Sequence, residues 1–281
     1  MSYLARYTSR TLIRELGLIV LAAAWWLPFY ALVVVALKSP NAALTYSLKP
    51  PQHLDFGNFP AAWAGTGGIS LGRALVNSLV ITVGSVVALI AIGSVSAWVL
   101  ARRTDRVGTL LYIAFVLGLI FPIQLGLVPL YVAMRHLGLL GTRGGAVLLY
   151  TGILMPLTIF LYTSFARALP IDYEEAALVD GASRVRIFRK VVFPLLRPIT
   201  GTVAVLTGLI IWNDFFTQLV FFGGGPSNRT LPVAIYGFVG QFTTQWNVVF
   251  AAVAIALAPI LLFYLFAQRQ LIRGFTGGIK A

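Results

Sequence analysis

Side chains able to do acid–base or covalent chemistry are scarce in this chain. It has no cysteine, and its two histidines, His53 and His136, stand alone. Lone histidines make neither a metal site nor a nucleophile–base pair. No Gly-Lys dipeptide occurs, so the phosphate-binding loop that carries Gly-Lys is not in the sequence. Only one acid, Asp214, falls inside an apolar run, where an ionisable group is a functional candidate by default. With Asn213 and Gln218 it either lines a cavity open to the outside or hydrogen-bonds nearby loop backbone. The second reading is favoured, because one acid readily satisfies local donors. No catalytic set emerges, so the chain reads as a non-enzyme.

The elements that must carry these residues are long and apolar. Of 281 residues, 59% are hydrophobic and 10% charged, against roughly 25% charged in soluble domains. A span needs about 20 apolar residues to cross a hydrocarbon core about 30 Å thick. Four runs carry no charge: Leu16–Leu37, Ala74–Ala101, Val107–Met134 and Gly144–Ala166. A fifth, Pro198–Asn228, carries only Asp214, and the stretch Thr230–Gln268 is uncharged. That last stretch is too long for one crossing and contains the polar patch Gln241–Asn247. It divides into a short outer segment, Thr230–Gly240, and a sixth span, Val248–Ala267. The first run, at 22 residues, is too long for a signal-peptide core.

Charge sets the orientation. With the amino terminus inside, fifteen of the 21 basic residues fall in inner segments: around Arg6–Arg14, Arg102–Arg106, Arg167–Arg197 and Arg269–Lys280. Six fall outside: Lys38, Lys49, Arg73, Arg135, Arg143 and Arg229. This bias predicts six spans with both termini in the cytoplasm. A net charge of +13 would suggest nucleic acid in a soluble protein. Here the basic residues sit in short loops and read as topology signals and lipid-headgroup contacts. Pro28, Pro122, Pro129, Pro156 and Pro259 are expected to kink their helices. Gly84, Ala88 and Ala91 form a small-residue face on the second span, read mainly as internal packing, with a partner-subunit contact as the alternative.

One cytoplasmic loop, 168–197, is predicted as two short helices with a turn. Asp172 is placed to cap the first, with Glu175 three residues on to reach back to it. Glu174 and Glu175 lie in the first turn, which favours anions. Gly181 is placed to end the helix in the left-handed conformation. Ser183 is placed to cap the second helix and Pro194 to end it, with Val185, Phe188 and Val192 as its apolar stripe. Its basic residues alone would suit a helix lying on anionic lipid. The acidic, small-residue first helix suits docking of a cytoplasmic protein.

Glu175-Ala176-Ala177, then Gly181, Val191 and Pro194, resemble the EAA loop of bacterial ABC importer permeases. Asn58-Phe59 with Trp63, Arg73 with Asn77-Ser78, Trp212-Asn213-Asp214-Phe215, Thr230-Leu231-Pro232 and the tail Gly274–Lys280 are similar to the smaller, G-like subunit of the maltose-type carbohydrate branch. The resemblance covers nearly all of the chain from about Asn58. It implies an all-α bundle of six transmembrane helices with a helix-turn-helix coupling loop at 168–197. The whole chain, 1–281, would be one permease domain, with an extracytoplasmic loop at 223–246. It implies pairing with a second, similar permease and delivery of a sugar by an extracytoplasmic solute-binding protein. Two ATPase subunits would hold ATP and Mg, so that this chain itself binds no cofactor. Glu174, Glu175, Ala176, Ala177, Asp180, Gly181, Ala182 and Arg184 would dock the ATPase, and the tail would touch the ATPase pair. Asn77, Trp212, Asn213, Asp214 and Gln218 are the candidates for the translocation pathway. Trp212 and Phe216 have faces that could stack on a sugar, though packing is the commoner role. The rival reading, a stand-alone ion-coupled transporter, needs intramembrane ionisable groups and usually an internal repeat; only Asp214 is offered.

The absence of native cysteine makes the predicted topology directly measurable. A cysteine at Ser47 or Ser227 should react with an impermeant thiol reagent added to intact cells, and one at Ser183 should not. Labelling of Ser183→Cys would reverse the orientation.

Overall fold

The computed structural model describes residues 9–44, 47–65, 70–223, 225, 228–239 and 245–277, with 9, 10, 263, 264 and 266–277 as backbone alone. Among these residues every regular element is helical. In hydrocarbon a helix is the simplest element that satisfies its own backbone. The chain opens with α1 (Ser9–Ala36), α2 (Pro40–Ala43), α3 (Asn58–Ala64) and α4 (Leu71–Arg102). Next come α5 (Arg106–Ile120), α6 (Ile123–His136) and α7 (Arg143–Ala168). The loop contributes α8 (Asp172–Val179), α9 (Arg184–Ile187), a π-helical turn (Phe188–Val192) and α10 (Phe193–Leu195). It leads into α11 (Arg197–Asn213), α12 (Phe216–Phe222), α13 (Leu231–Tyr236) and α14 (Trp246–Gly277).

Three of the six expected spans are single helices of spanning length, and the other three are bent, broken or shorter in their apolar part. Thr11–Ala36, Leu71–Arg102 and Arg143–Ala168 are unbroken and apolar enough to cross. The run read as a single third span is two helices, α5 and α6, meeting at 103°. The fifth starts as α11, at 73° to the loop helices before it, and breaks at Asp214-Phe215 before α12. The last, α14, is apolar over Trp246–Leu262 and continues to Gly277. Of the five prolines expected to kink, Pro28, Pro129, Pro156 and Pro259 lie inside continuous helices. Only Pro122 stands at a break, where it precedes α6 as its N-cap residue. There the missing N–H costs nothing, since the first turn of a helix has no internal partner for it.

At the centre α4 and α7 pack along most of their lengths, with α5 against α7, α11 against both α4 and α14, and α1 and α3 against α14. Lipid tails are as apolar as leucine, so this association rests on close fit and polar contacts. Gly93 supplies the fit: a Cβ there would stand 2.4 Å from Thr158 Cγ2 of α7. Gly84 faces α7 as well, where a Cβ would meet Val147 at 2.9 Å. Ala91, by contrast, is exposed, and the buried stripe of α4 runs through Ile81, Ser85, Leu89, Ser94 and Ala97. The small-residue face expected at 84, 88 and 91 is thus shared between packing and open surface. The three buried clusters stack along the bundle, from Ala62 and Leu231, through Leu89 and Ile211, to Tyr162 and Val192 at the loop end.

Two helices have well-formed starts that the sequence reading passed over. Asp105 Oδ1 accepts from Gly108 N at 3.1 Å and so caps α5. Arg103 also donates to Asp105, and this hydrogen bond, with the one from Gly108, holds the carboxyl below its ordinary range. Thr142 caps α7 through Gly145 N at 3.0 Å. Ser227, Gly240 and Gln241–Thr244 of the expected outer loop lie outside the described residues, as do Arg6 and the end of the tail from Gly278. The rest of the tail, Gly274–Gly277, is the last turn of α14.

The fit at Gly93 predicts an asymmetry between neighbours. Gly93→Val should destabilise the detergent-purified protein by about 1–3 kcal/mol through overpacking, read as a lower thermal midpoint. Ala91→Val, on the exposed face, should stay close to wild type.

Candidate functional site

The loop end carries a built knob. Its first helix, α8, starts with Ile171 at the N-cap position and no side-chain cap bond. Asp172 is therefore the first helical residue, and the expected capping by Asp172 and Glu175 does not form. The reason is local: Ile171 already has helical φ and ψ of −68° and −24°, so the helix begins one residue earlier. Asp172, Glu174 and Glu175 still place three carboxylates in the first turn, where the dipole favours them. The end of α8 follows the expectation closely. Gly181 has φ +74°, Gly181 N donates to Leu178 O and Ala182 N to Ala177 O, both at 3.0 Å. This paired bonding is the Schellman arrangement, which requires the left-handed residue.

The second half of the knob departs from the expected helix. Ser183 does stand at the N-cap of α9, but its hydroxyl makes no cap bond. Residues 188–192 form a π turn in which Phe193 N donates to Phe188 O. This wider turn precedes Pro194, which has no N–H to give and would crowd the carbonyl four residues back. The helical path continues through Leu195, so Pro194 does not end it. The π turn also shifts the apolar face. Ile187 and Val192, five residues apart, are both buried, whereas Val185 is 68% exposed. The stripe expected through Val185 is corrected accordingly.

Three expected docking residues face inward and five outward. Glu174, Ala177 and Ala182 are half-buried; Glu175, Ala176, Asp180, Gly181 and Arg184 are exposed. Ala177, Ala182 and Phe188 pack on the cluster formed by Ala97, Tyr162, Ile187, Val192 and Leu196. Glu174 accepts from Trp98 Nε1 at 2.9 Å and from Arg102 Nε at 2.8 Å, and Arg102 Nη2 lies 2.8 Å from Glu174 Oε1 and also donates to Leu169 O. Trp98 and Arg102 were not among the residues singled out from the sequence; Arg102 read there only as a topology charge. The outward face adds Leu178, Val179 and Val185, exposed by 60%, 87% and 68%. An acidic and apolar surface of this kind, beyond the spans, suits a protein partner.

The opposite end is a lock of buried amides. Asn77 Nδ2 donates to Arg229 O and Asn77 Oδ1 accepts from Arg143 Nε, each at 2.9 Å. Ser78 Oγ accepts from Leu231 N at 2.9 Å. Thus Asn77-Ser78 and the Arg229–Leu231 stretch, flagged separately in the sequence, meet in space. Asn58 Nδ2 reaches Ala36 O, Lys38 O and Asp55 O, and Asn58 Oδ1 accepts from Asn247 Nδ2. One buried amide so joins the end of α1, the start of α3 and the start of α14.

Asp214 sits at the break between α11 and α12. Its Oδ1 accepts from Thr217 N at 3.1 Å and its Oδ2 from Tyr150 Oη at 2.9 Å. Gln218 Nε2 donates to Ile211 O, a carbonyl near the end of α11. These bonds match the structural reading of Asp214. Of the pathway candidates, Asn77, Gln218 and Trp212 are buried, Asp214 is half-buried and Asn213 is exposed. Trp212 lines an apolar crevice of about 200 Å³ between α4, α11 and α14, with Thr82 and Gly208.

A family model described as "Binding-protein-dependent transport system inner membrane component" matches residues 89–277. The probable starch degradation products transport system permease protein AmyC of Thermoanaerobacterium thermosulfurigenes is 35% identical, covering 97% of each chain. The melibiose/raffinose/stachyose import permease protein MelC of Bacillus subtilis (strain 168) is 36% identical, covering 98% of each. Among solved structures, a chain from the crystal structure of a bacterial ABC transporter involved in the import of the acidic polysaccharide alginate has the same fold. It superposes with a TM-score of 0.82 at 20% identity, over 96% of this chain and 99% of that one.

The Asp214 geometry predicts a graded loss of stability. Asp214→Ala strands the Tyr150 hydroxyl and the Thr217 amide and should cost about 1–3 kcal/mol, while Tyr150→Phe removes one bond and should cost about 1 kcal/mol. Thermal unfolding in detergent ranks the two; equal midpoints for both variants and wild type would contradict the structural role.

Proposed function

The chain belongs to the family of binding-protein-dependent transport system inner membrane components, and from that premise we propose that it is the permease subunit of an ATP-driven carbohydrate importer. The relatives named for starch degradation products and for melibiose, raffinose and stachyose support a sugar or oligosaccharide as cargo. The observation that carries the reading is the knob. Its first helix presents Glu175, Ala176, Asp180 and exposed Val179 outward, while Ala177 rests on the cluster that the second half of the knob forms with α4 and α7. An ion-coupled transporter has no use for such an object.

In this account the cytoplasmic face holds both termini and the knob. Two ATPase subunits bind ATP and Mg; one of them grips the knob through Glu175, Ala176, Asp180, Gly181 and Arg184. A second, similar permease completes the pathway, and a solute-binding protein delivers the sugar from outside. Because the knob shares a packed cluster with α4, α7 and α11, force applied to it moves those helices together rather than bending a loop. The outer amide lock keeps the far ends of α1, α3, α4 and α14 together during that movement. Asn77, Asp214 and Gln218 serve that scaffold. Of the pathway set, Asn213 is the exposed member, and Trp212 lines the apolar crevice between α4, α11 and α14.

Glu175 tests the docking. The ion pairs among the described residues involve Glu174 and Asp105, not Glu175, so its charge is free for a partner and its removal leaves the fold intact. Glu175→Gln should insert and assemble with its partner permease while sugar-stimulated ATP hydrolysis falls; Glu175→Lys should in addition lose co-purifying ATPase. Gly181→Val, which forces a branched residue into φ +74°, should cost about 1 kcal/mol or more and mis-aim the knob. Full ATPase retention and full stimulation in both Glu175→Lys and Gly181→Val would sink the docking role.

A further inference from the structure

The knob is attached unevenly. Its second half is packed into the cluster around Ile187, Val192 and Leu196. Helix α8 has no fully buried residue. Between it and the end of α4 lies an open cleft of about 340 Å³, lined by Trp98, Arg102, Glu174 and Leu178, with exposed Glu175 and Arg184 at its edge. Across that cleft, the hydrogen bonds between side chains of α8 and α4 all end on one carboxylate. Glu174 takes Trp98 Nε1 on one oxygen and Arg102 on the other. Arg102 also donates to Leu169 O, at the end of α7. Side-chain exposure of only 20% for Arg102 and 14% for Glu174 shields the pair from the screening that makes surface ion pairs weak. The span supplies the reach: α4 has 32 residues, so it is about 48 Å long and overshoots a hydrocarbon core of about 30 Å.

We propose that Glu174 and Arg102 are positioning residues, a joint through which displacement of α8 is carried into α4 and α7. Glu175, one residue on, faces the partner; Glu174 holds the helix that presents it. Without the joint, α8 still docks but swings over the cleft, and the stroke is dissipated there. This rests on the permease reading above.

The test uses Glu174→Gln, Arg102→Gln and the exchange Arg102→Glu with Glu174→Arg in the assembled transporter. The single variants should retain co-purified ATPase and hydrolyse ATP, while sugar taken up per ATP falls about tenfold. The exchange should recover at least part of it. A role in folding alone would instead lower ATPase retention and hydrolysis together. In parallel, spin labels at Val95→Cys on α4 and Val179→Cys on α8 of the full-length chain in nanodiscs should show one narrow distance, broadened by Glu174→Gln. Wild-type uptake per ATP and an unchanged distance in both single variants overturn the joint, as does loss of ATPase in both. If the wild-type assembly itself shows no ATP-driven uptake, the permease reading fails, and the distance measurement still decides the joint.

Discussion

Backbone N–H and C=O groups have no water to bond inside hydrocarbon, and each must find its partner within the protein. Most of this chain meets that demand by staying helical. Where it leaves the helix, a buried polar side chain takes over. Asp214 and Gln218 hold the break between α11 and α12, through Thr217 N and Ile211 O. Asn58 collects the carbonyls of Ala36, Lys38 and Asp55 at the end of α1. Ser78 takes the amide of Leu231 at the start of α13. The polar residues of the spans are thus spent largely on architecture, and the result is a bundle pinned at several points at the end away from the knob. A pinned bundle rocks as a body when pushed, and alternating access requires that behaviour.

The knob lies at the other end. There, two adjacent carboxylates divide the labour because successive helical residues point about 100° apart. Glu174 turns inward to Trp98 and Arg102, and Glu175 turns out to where a partner can reach it. Gly181 fixes where α8 stops and where α9 begins. The π turn before Pro194 sets which face of the second half is buried. A change of one residue in either turn would rotate the exposed face of the knob while leaving the spans unchanged.

Much of this was legible beforehand, and the failures have physical causes. Apolar length revealed most of the spans, and Gly181 after Asp180 revealed the end of α8. The break at Asp214-Phe215 was not legible, because the apolar run continues on both sides of it and reads as one span, whereas Pro122, expected to kink its helix, does stand at the 103° bend between α5 and α6. Proline alone is not a sufficient mark: Pro129, Pro156 and Pro259 stay within continuous helices. The N-cap of α8 was misplaced by one residue because Ile171, which lacks any capping group, already takes helical angles. The pairing of Ser78 with Leu231 spans 153 residues of chain, and no local spacing encodes it. Family likeness had flagged both stretches, but only the fold shows that they meet.

The central claim is that this bundle is driven through its knob by nucleotide hydrolysis rather than by an ion gradient. Uptake into proteoliposomes holding the full assembly decides it, using labelled malto- and galacto-oligosaccharides with the solute-binding protein on the extracytoplasmic side. The account predicts uptake of at least one such sugar that requires ATP at the knob face and is unchanged when the proton and sodium gradients are collapsed. Uptake that proceeds without ATP and follows an imposed ion gradient would contradict it.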